Sequence, residues 1–218
     1  MNTVLVRGSA QIYTLLVAGL LFVFTTLPGL VVLVLLSRGP GDLPLVALCA
    51  LPVGPALSAV LYTLHQHVGD IADLTPARTF WRGYRTNARG VLAIWVPLLV
   101  WVTVLAFNLS LTGAAGLSRF WLVALALILA LALVWGANAL VITSLFVFRV
   151  RDVARLSAYY LTTRPSVPLG ALALLAVAFG VTALWSEAVL VLLVPLLAFG
   201  LLRTSAPMIA DIRERFVG

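Results

Sequence analysis

The chain has 218 residues, 63% of them hydrophobic and 10% charged, and its mean hydropathy is +1.15. Soluble domains run to about 45–50% apolar and about 25% charged residues, so water is excluded as the solvent of most of this surface and a bilayer takes its place. Fourteen Arg and no Lys stand against seven acidic residues, for a net charge of +7, and a single cysteine excludes an internal disulfide framework.

A hydrocarbon core of about 30 Å takes roughly 20 apolar residues at 1.5 Å each. The uncharged stretches predict an all-α polytopic bundle of about six spans, near 11–36, 43–64, 90–111, 120–148, 168–184 and 188–202. The first is too long for the h-region of a cleavable signal and has no small-residue cleavage site after it, so it is expected to stay in the chain. The last two are divided at Trp185-Ser186-Glu187, because a carboxylate in hydrocarbon is expensive. Six spans put twelve of the fourteen Arg on the side of both termini and leave Arg38 and Arg119 on the other. By the positive-inside rule both ends are cytoplasmic.

Two amphipathic segments are expected on that side, near 75–89 and 149–161. In the first, Thr75-Pro76 reads as a helix start. Arg78, Arg82, Arg85 and Arg89 then fall within about 60° of one another, with Phe80, Trp81, Tyr84, Ala77 and Ala88 on the other side. That pattern predicts a helix lying in the interface, with rings toward acyl chains and guanidinium groups toward phosphates or water. In the second, Val153, Leu156 and Tyr160 share one face, and Arg151, Asp152, Arg155 and Tyr159 the opposite one. Placing Phe80-Trp81 over Tyr159-Tyr160 suggests an internal repeat. Nucleic acid is not an expected partner, because a helix tied to the bilayer at both ends has little freedom to meet a duplex; membrane lipids are.

Ionisable groups at depth are few. Glu187 is read as a turn residue facing water, and Asn108 and Asn138 as intramembrane amides that bond across helices and fix packing. His65 and His67, with Asp70 and Asp73 close behind, suggest a metal site, but helical positions two apart diverge by about 200°, so none is expected. Cys49 reads as a small packing residue. The sequence contains no phosphate loop, G-x-S-x-G elbow or H-E-x-x-H pair, so neither enzymatic activity nor a cofactor is expected. Pro28-Gly29, Gly54-Pro55 and Pro195 are candidate breaks in spans, and Gly54 with Ser58 forms a small-xxx-small pair.

Three stretches carry a resemblance: Thr26-Leu27-Pro28-Gly29, the run from Pro52 through Gly54-Pro55-Ala56 to Leu61-Tyr62, and Thr79-Phe80-Trp81-Arg82-Gly83-Tyr84-Arg85-Thr86-Asn87. In these the chain resembles the YesL-like bacterial membrane proteins of uncharacterised function, mainly over its N-terminal half. Members of that family tend to be encoded beside carbohydrate ABC-transporter permeases and glycoside hydrolases. The resemblance therefore implies a bacterial cell-membrane protein acting as an accessory subunit of a carbohydrate importer, with permease subunits as partners. It supplies no catalytic residues. The candidate contact residues are Gly54, Pro55, Ser58, Phe80, Trp81, Arg82, Tyr84, Arg85 and Asn87. The alternative is a stand-alone small-solute transporter with a cavity lined by Thr25, Thr26, Ser58 and Asn138.

Overall fold

The computed structural model describes residues 2–36, 39–67, 75–111 and 118–216, and among them it is helical apart from short connections, without a strand. Helix α1 covers Asn2–Leu35. A 3-10 turn at Pro40–Asp42 leads into α2 (Leu43–Cys49) and α3 (Val53–His67), followed by α4 (Pro76–Leu111) and α5 (Arg119–Leu145). The amphipathic α6 (Val150–Thr163), the hairpin of α7 (Ser166–Leu184) and α8 (Glu187–Thr204), and α9 (Ala206–Phe216) complete the described residues. Among the described residues, five stretches are long and apolar enough to cross a membrane, and a sixth is a bent pair of helices. The protein is a multi-pass membrane protein.

The sixth stretch is not one straight span. Pro40–Cys49 and Val53–His67 meet at 43°. Pro52 supplies the reason: it has no N–H to continue the ladder, and its ring opposes the carbonyl one turn back. Pro55 sits in the first turn of α3, where a missing donor costs little. The carbonyl of Ala50 freed by the break accepts from the indole Nε1 of Trp95 at 2.9 Å as well as from the amide of Val53 at 3.2 Å. Gly54 makes room for that indole, since a Cβ there would stand 2.6 Å from the ring.

Segment 75–89 does not form a helix of its own in the interface. It is the first four turns of α4, whose 36 residues extend about 54 Å at 1.5 Å per residue, well beyond the roughly 30 Å of hydrocarbon. No proline separates Arg85 from Trp95, and Gly90 is tolerated in the helix while packing close to the Thr143 methyl. The aromatic side is also divided differently from the expectation. Phe80 is fully buried against the rest of the chain and Gly83 abuts the Tyr62 ring, whereas Trp81 stays 36% exposed. In α6, Tyr160 is buried and Tyr159 is 46% exposed. The repeat alignment, which sets Phe80 on Tyr159 and Trp81 on Tyr160, is therefore not kept by burial.

Helix α3 is the centre of the bundle. It packs on α1, α4, α5 and α8, and Ala56, Ala59, Val60 and Leu61 have no exposed surface. Small side chains on this helix let its neighbours approach closely, which is how helices gain dispersion contacts where lipid removes the hydrophobic difference. The α7–α8 hairpin is antiparallel: Gly170 lies against Thr204 and Gly200 against Leu174. Its turn at Trp185 and Ser186 is held by the Ser186 hydroxyl, which accepts from the Val189 amide at 3.4 Å, and Glu187 stands in the first turn of α8. Helix α1 closes on α8 where Gly19 meets the Pro195 ring.

Candidate functional site

Alternation of the long helices brings one end of each to a common, Arg-rich end of the bundle. The N-terminal part of α1, the end of α3, the start of α4, the end of α5, the start of α7, the end of α8, and both short helices α6 and α9 meet there. Contacts between elements fix this: the indole Nε1 of Trp135 donates to the carbonyl of Ala154 at 3.2 Å, and Arg213 lies 3.3 Å from His65 Nε2. Arg119, at the start of α5, is at the opposite end, while Arg38, Asp70 and Asp73 lie outside the described residues.

At the Arg-rich end, α4 presents two faces. Arg78, Arg82, Arg85 and Arg89 are all exposed and, with Trp81, form one continuous stripe. The ring of Trp81 meets Phe80 edge-on at 5.9 Å and Tyr84 at 5.7 Å, so the exposed indole is braced by one buried and one half-buried ring. The opposite face carries Phe80, Gly83 and Asn87 onto α3. Asn87 Nδ2 donates to Ser58 Oγ at 3.2 Å and to the carbonyl of Ser144 at 3.0 Å. The Ser144 hydroxyl lies 2.9 Å from that of Ser58 and also reaches the carbonyl of Leu140. Three helices, α3, α4 and α5, are thus joined by one buried polar node. Interhelical hydrogen bonds in membranes average about 0.6 kcal/mol and reach about 1.7 kcal/mol, so the node specifies register more than it supplies stability.

The candidate contact residues therefore separate into two groups. Gly54, Pro55, Ser58 and Phe80 are buried inside the chain and offer no surface to a partner: Gly54 and Pro55 shape the α2–α3 break, Ser58 and Asn87 belong to the node, and Phe80 fills the core. Tyr84 is half-buried beside Phe80. Trp81, Arg82 and Arg85 remain on the surface. Ser144 and Trp95 are the residues that sequence reasoning missed. Ser144 lies 57 positions from Asn87, and nothing local marks it.

The two intramembrane amides do not bond across helices as expected. Asn108 turns its Nδ2 back to the carbonyl of Val104 at 2.7 Å, because it lies on an exposed face of α4, away from the buried Leu105. Asn138 is fully buried and neither amide atom has a hydrogen-bond partner among the described residues. An unpaired buried polar group costs about 1–3 kcal/mol. Thr25 and Thr26 spend their hydroxyls on carbonyls of their own helix, and with Ser58 in the node and Asn138 enclosed, these four side chains line no described cavity together. The cavity that does lie between α1, α3, α4, α5, α7 and α8 has a volume of about 300 Å³ and apolar walls, including Phe22, Leu57, Trp95 and Leu174.

Helix α9 closes the Arg-rich end. Met208, Ile209 and Ile212 are buried, and the Tyr160 hydroxyl donates to Asp211 Oδ2 at 2.7 Å. Arg164 and Arg215 lie 3.4 and 3.2 Å from the same carboxylate. The Tyr160 hydrogen bond, then the charges of Arg215 and Arg164, hold the Asp211 carboxyl below its ordinary range against partial desolvation. Burial, then the bond to Asp211, pushes the Tyr160 hydroxyl up.

No curated protein and no solved structure matches the chain. Residues 15–109, from α1 through α4 and so including the Arg stripe and two members of the polar node, match a family model described as "Protein of unknown function, DUF624", and over that stretch the chain is similar to an uncharacterised family.

Proposed function

We propose that the chain is a YesL-like, non-enzymatic accessory subunit that packs against the permease subunits of a carbohydrate ABC importer in the bacterial cell membrane, with its termini and Arg-rich end in the cytoplasm. The observation that carries this reading is the division of α4. Its inward face is fully engaged within the chain, while its outward face holds Trp81 and four Arg on a rigid helix longer than a bilayer core needs. Aromatic and Arg side chains are the residue types enriched at protein interfaces, and a rigid presentation lowers the entropy cost of docking. The family-model match includes this element, as does the resemblance in Thr79–Asn87.

The test is co-purification in gentle detergent from cells expressing the tagged chain. The permease subunits are expected with the unaltered chain, and Trp81→Ala combined with Arg85→Ala is expected to lose them while membrane insertion is unchanged. Undiminished recovery of the permease with the double variant, or its absence from the unaltered chain's complex, overturns the proposal. The apolar cavity of about 300 Å³ favours a second reading, a stand-alone transporter of a small solute. Flux into liposomes holding only this chain distinguishes the two.

A further inference from the structure

A groove of about 300 Å³ runs between α1, α3 and α8, lined in part by Gln11, Leu15, Leu64, His67, Leu196 and Phe199. Its chemistry is ordered along its length. On α1, Gln11 stands one turn nearer the Arg-rich end than Leu15; on α3, His67 lies beyond Leu64; on α8, Arg203 follows Phe199 by one turn. The Arg203 guanidinium carbon sits 5.0 Å from the centroid of the Phe199 ring, which places the cation at the groove's polar end. The deeper walls are aliphatic. Leu196 is 55% exposed, and α1 and α8 are both candidate membrane spans, so the groove opens on the lipid side.

Arg203 pairs with no carboxylate among the described residues, and His67 Nε2, shut off from solvent, has no hydrogen-bond partner among them. Thr14, the remaining polar lining residue, already donates to the carbonyl of Ala10 at 2.9 Å. A cation stacked on one of the groove's lining rings, at the end where Gln11 stands in the wall, is complementary to an anion that brings its own apolar chain.

We infer that this groove is a binding site for an anionic phospholipid, whose phosphate is held by Arg203 with Gln11 beside it, and whose acyl chain lies against Leu15, Leu64 and Leu196. Charge selects the lipid: a zwitterionic headgroup carries the same phosphate but neutralises it with its own ammonium, whereas an anionic one leaves a net charge for the guanidinium. Basic pockets between membrane helices recognise anionic headgroups in this way.

The test uses the full chain, purified and delipidated in detergent and titrated with phosphatidylglycerol, phosphatidylcholine or glycerol 3-phosphate, with bound lipid read by native mass spectrometry. One phosphatidylglycerol is expected to be retained about tenfold better than phosphatidylcholine, the worth of one charge-assisted hydrogen bond. Arg203→Gln is expected to remove that preference. Leu196→Trp, which leaves the charge and fills the groove, is expected to remove binding. Both positions are surface-exposed, so the variants are expected to elute like the unaltered chain, and Arg82→Gln at the same end of the bundle is expected to bind normally. Equal retention of the two lipids overturns the inference. So does undiminished phosphatidylglycerol binding in Arg203→Gln or Leu196→Trp, or competition by glycerol 3-phosphate at the same concentration as the lipid.

Discussion

The first four turns of α4 and the whole of α6 carry the same plan in sequence, a basic stripe opposite aromatic and small residues ahead of an apolar span, yet they end differently. After Arg89 the helix runs on to Leu111, with Pro97 accommodated inside it. After Thr163, by contrast, the chain leaves helical geometry at Arg164, with φ −131° and ψ 79°, and α7 begins past Pro165. Amphipathicity does not separate the two cases; punctuation does. Arg164 precedes a proline, which disfavours helical backbone at that residue, and Pro168 fits the first turn of the next helix. Between Arg89 and Trp95 every residue keeps its backbone N–H, and the next proline, Pro97, withholds a donor only from the Ala93 carbonyl while the helix continues. The difference decides how each segment is held: α4 packs Phe80 and Gly83 inward on the same rigid helix as its span, and α6 turns to pack its Val153, Ser157 and Tyr160 inward on a helix of its own.

The largest effect that tests this contrast is at Phe80. Phe80→Ala empties a fully buried site and is expected to destabilise the detergent-solubilised protein by about 3–5 kcal/mol. Trp81→Ala, one residue along and exposed, is expected to cost under about 1 kcal/mol. Thermal unfolding of the two variants side by side checks the assignment of faces. Equal losses would return both rings to the lipid-facing role that the sequence suggests.

A proline at residue 88 converts the first plan into the second. Ala88→Pro removes a hydrogen bond from a helix interior and is expected to cost about 3 kcal/mol and to bend α4 ahead of the span. Spin labels at Arg82 and Val100, both exposed, lie about 27 Å apart along a continuous helix. That distance is expected to shorten in the variant, and an unchanged distance distribution would show that the helix is already interrupted there.

The legible part of this molecule is what the bilayer dictates through composition: all-α architecture, about six spans, and a strongly basic end. Charge cost at Glu187 located the α7–α8 turn, since a carboxylate and a helix N-terminus favour each other. The break at Pro52 was less legible, because proline is tolerated in membrane helices wherever a neighbour re-satisfies the freed carbonyl, and that neighbour, Trp95, is remote in sequence. The polar node shows the same limit. Ser58 is singled out by the small-xxx-small pair and Asn87 by the family resemblance, but that they meet, and meet Ser144, follows only from how three helices cross. Helix α9 went unseen for another reason: Ala206–Phe216 mixes charge and apolar residues, and its inward face is defined by α6 and the end of α3, not by any property of its own run.

Helix α9 gives the mildest probe of the comparison, because it is tied to α6 through Tyr160 and has no counterpart under α4. The Asp211 carboxyl is held below its ordinary range by the Tyr160 hydroxyl first, and by Arg215 and Arg164 after it. A depressed carboxyl contributes stability that is complete above the ordinary value of about 3.9 and is lost as pH falls through the lower, folded value. A spin label at Ala210, an exposed position of α9, placed after Cys49→Ala, is therefore expected to stay immobile down to about pH 4 and to gain mobility only below it. Tyr160→Phe removes the principal cause of the depression, so the midpoint of release is expected to move upward toward the ordinary carboxyl value. An unchanged midpoint would mean that the two Arg alone set the charge of Asp211. Release that already begins as pH falls below about 6.5 would assign the latch to the His65–Arg213 contact instead, because burial first and the Arg213 charge second hold that imidazole below its ordinary value.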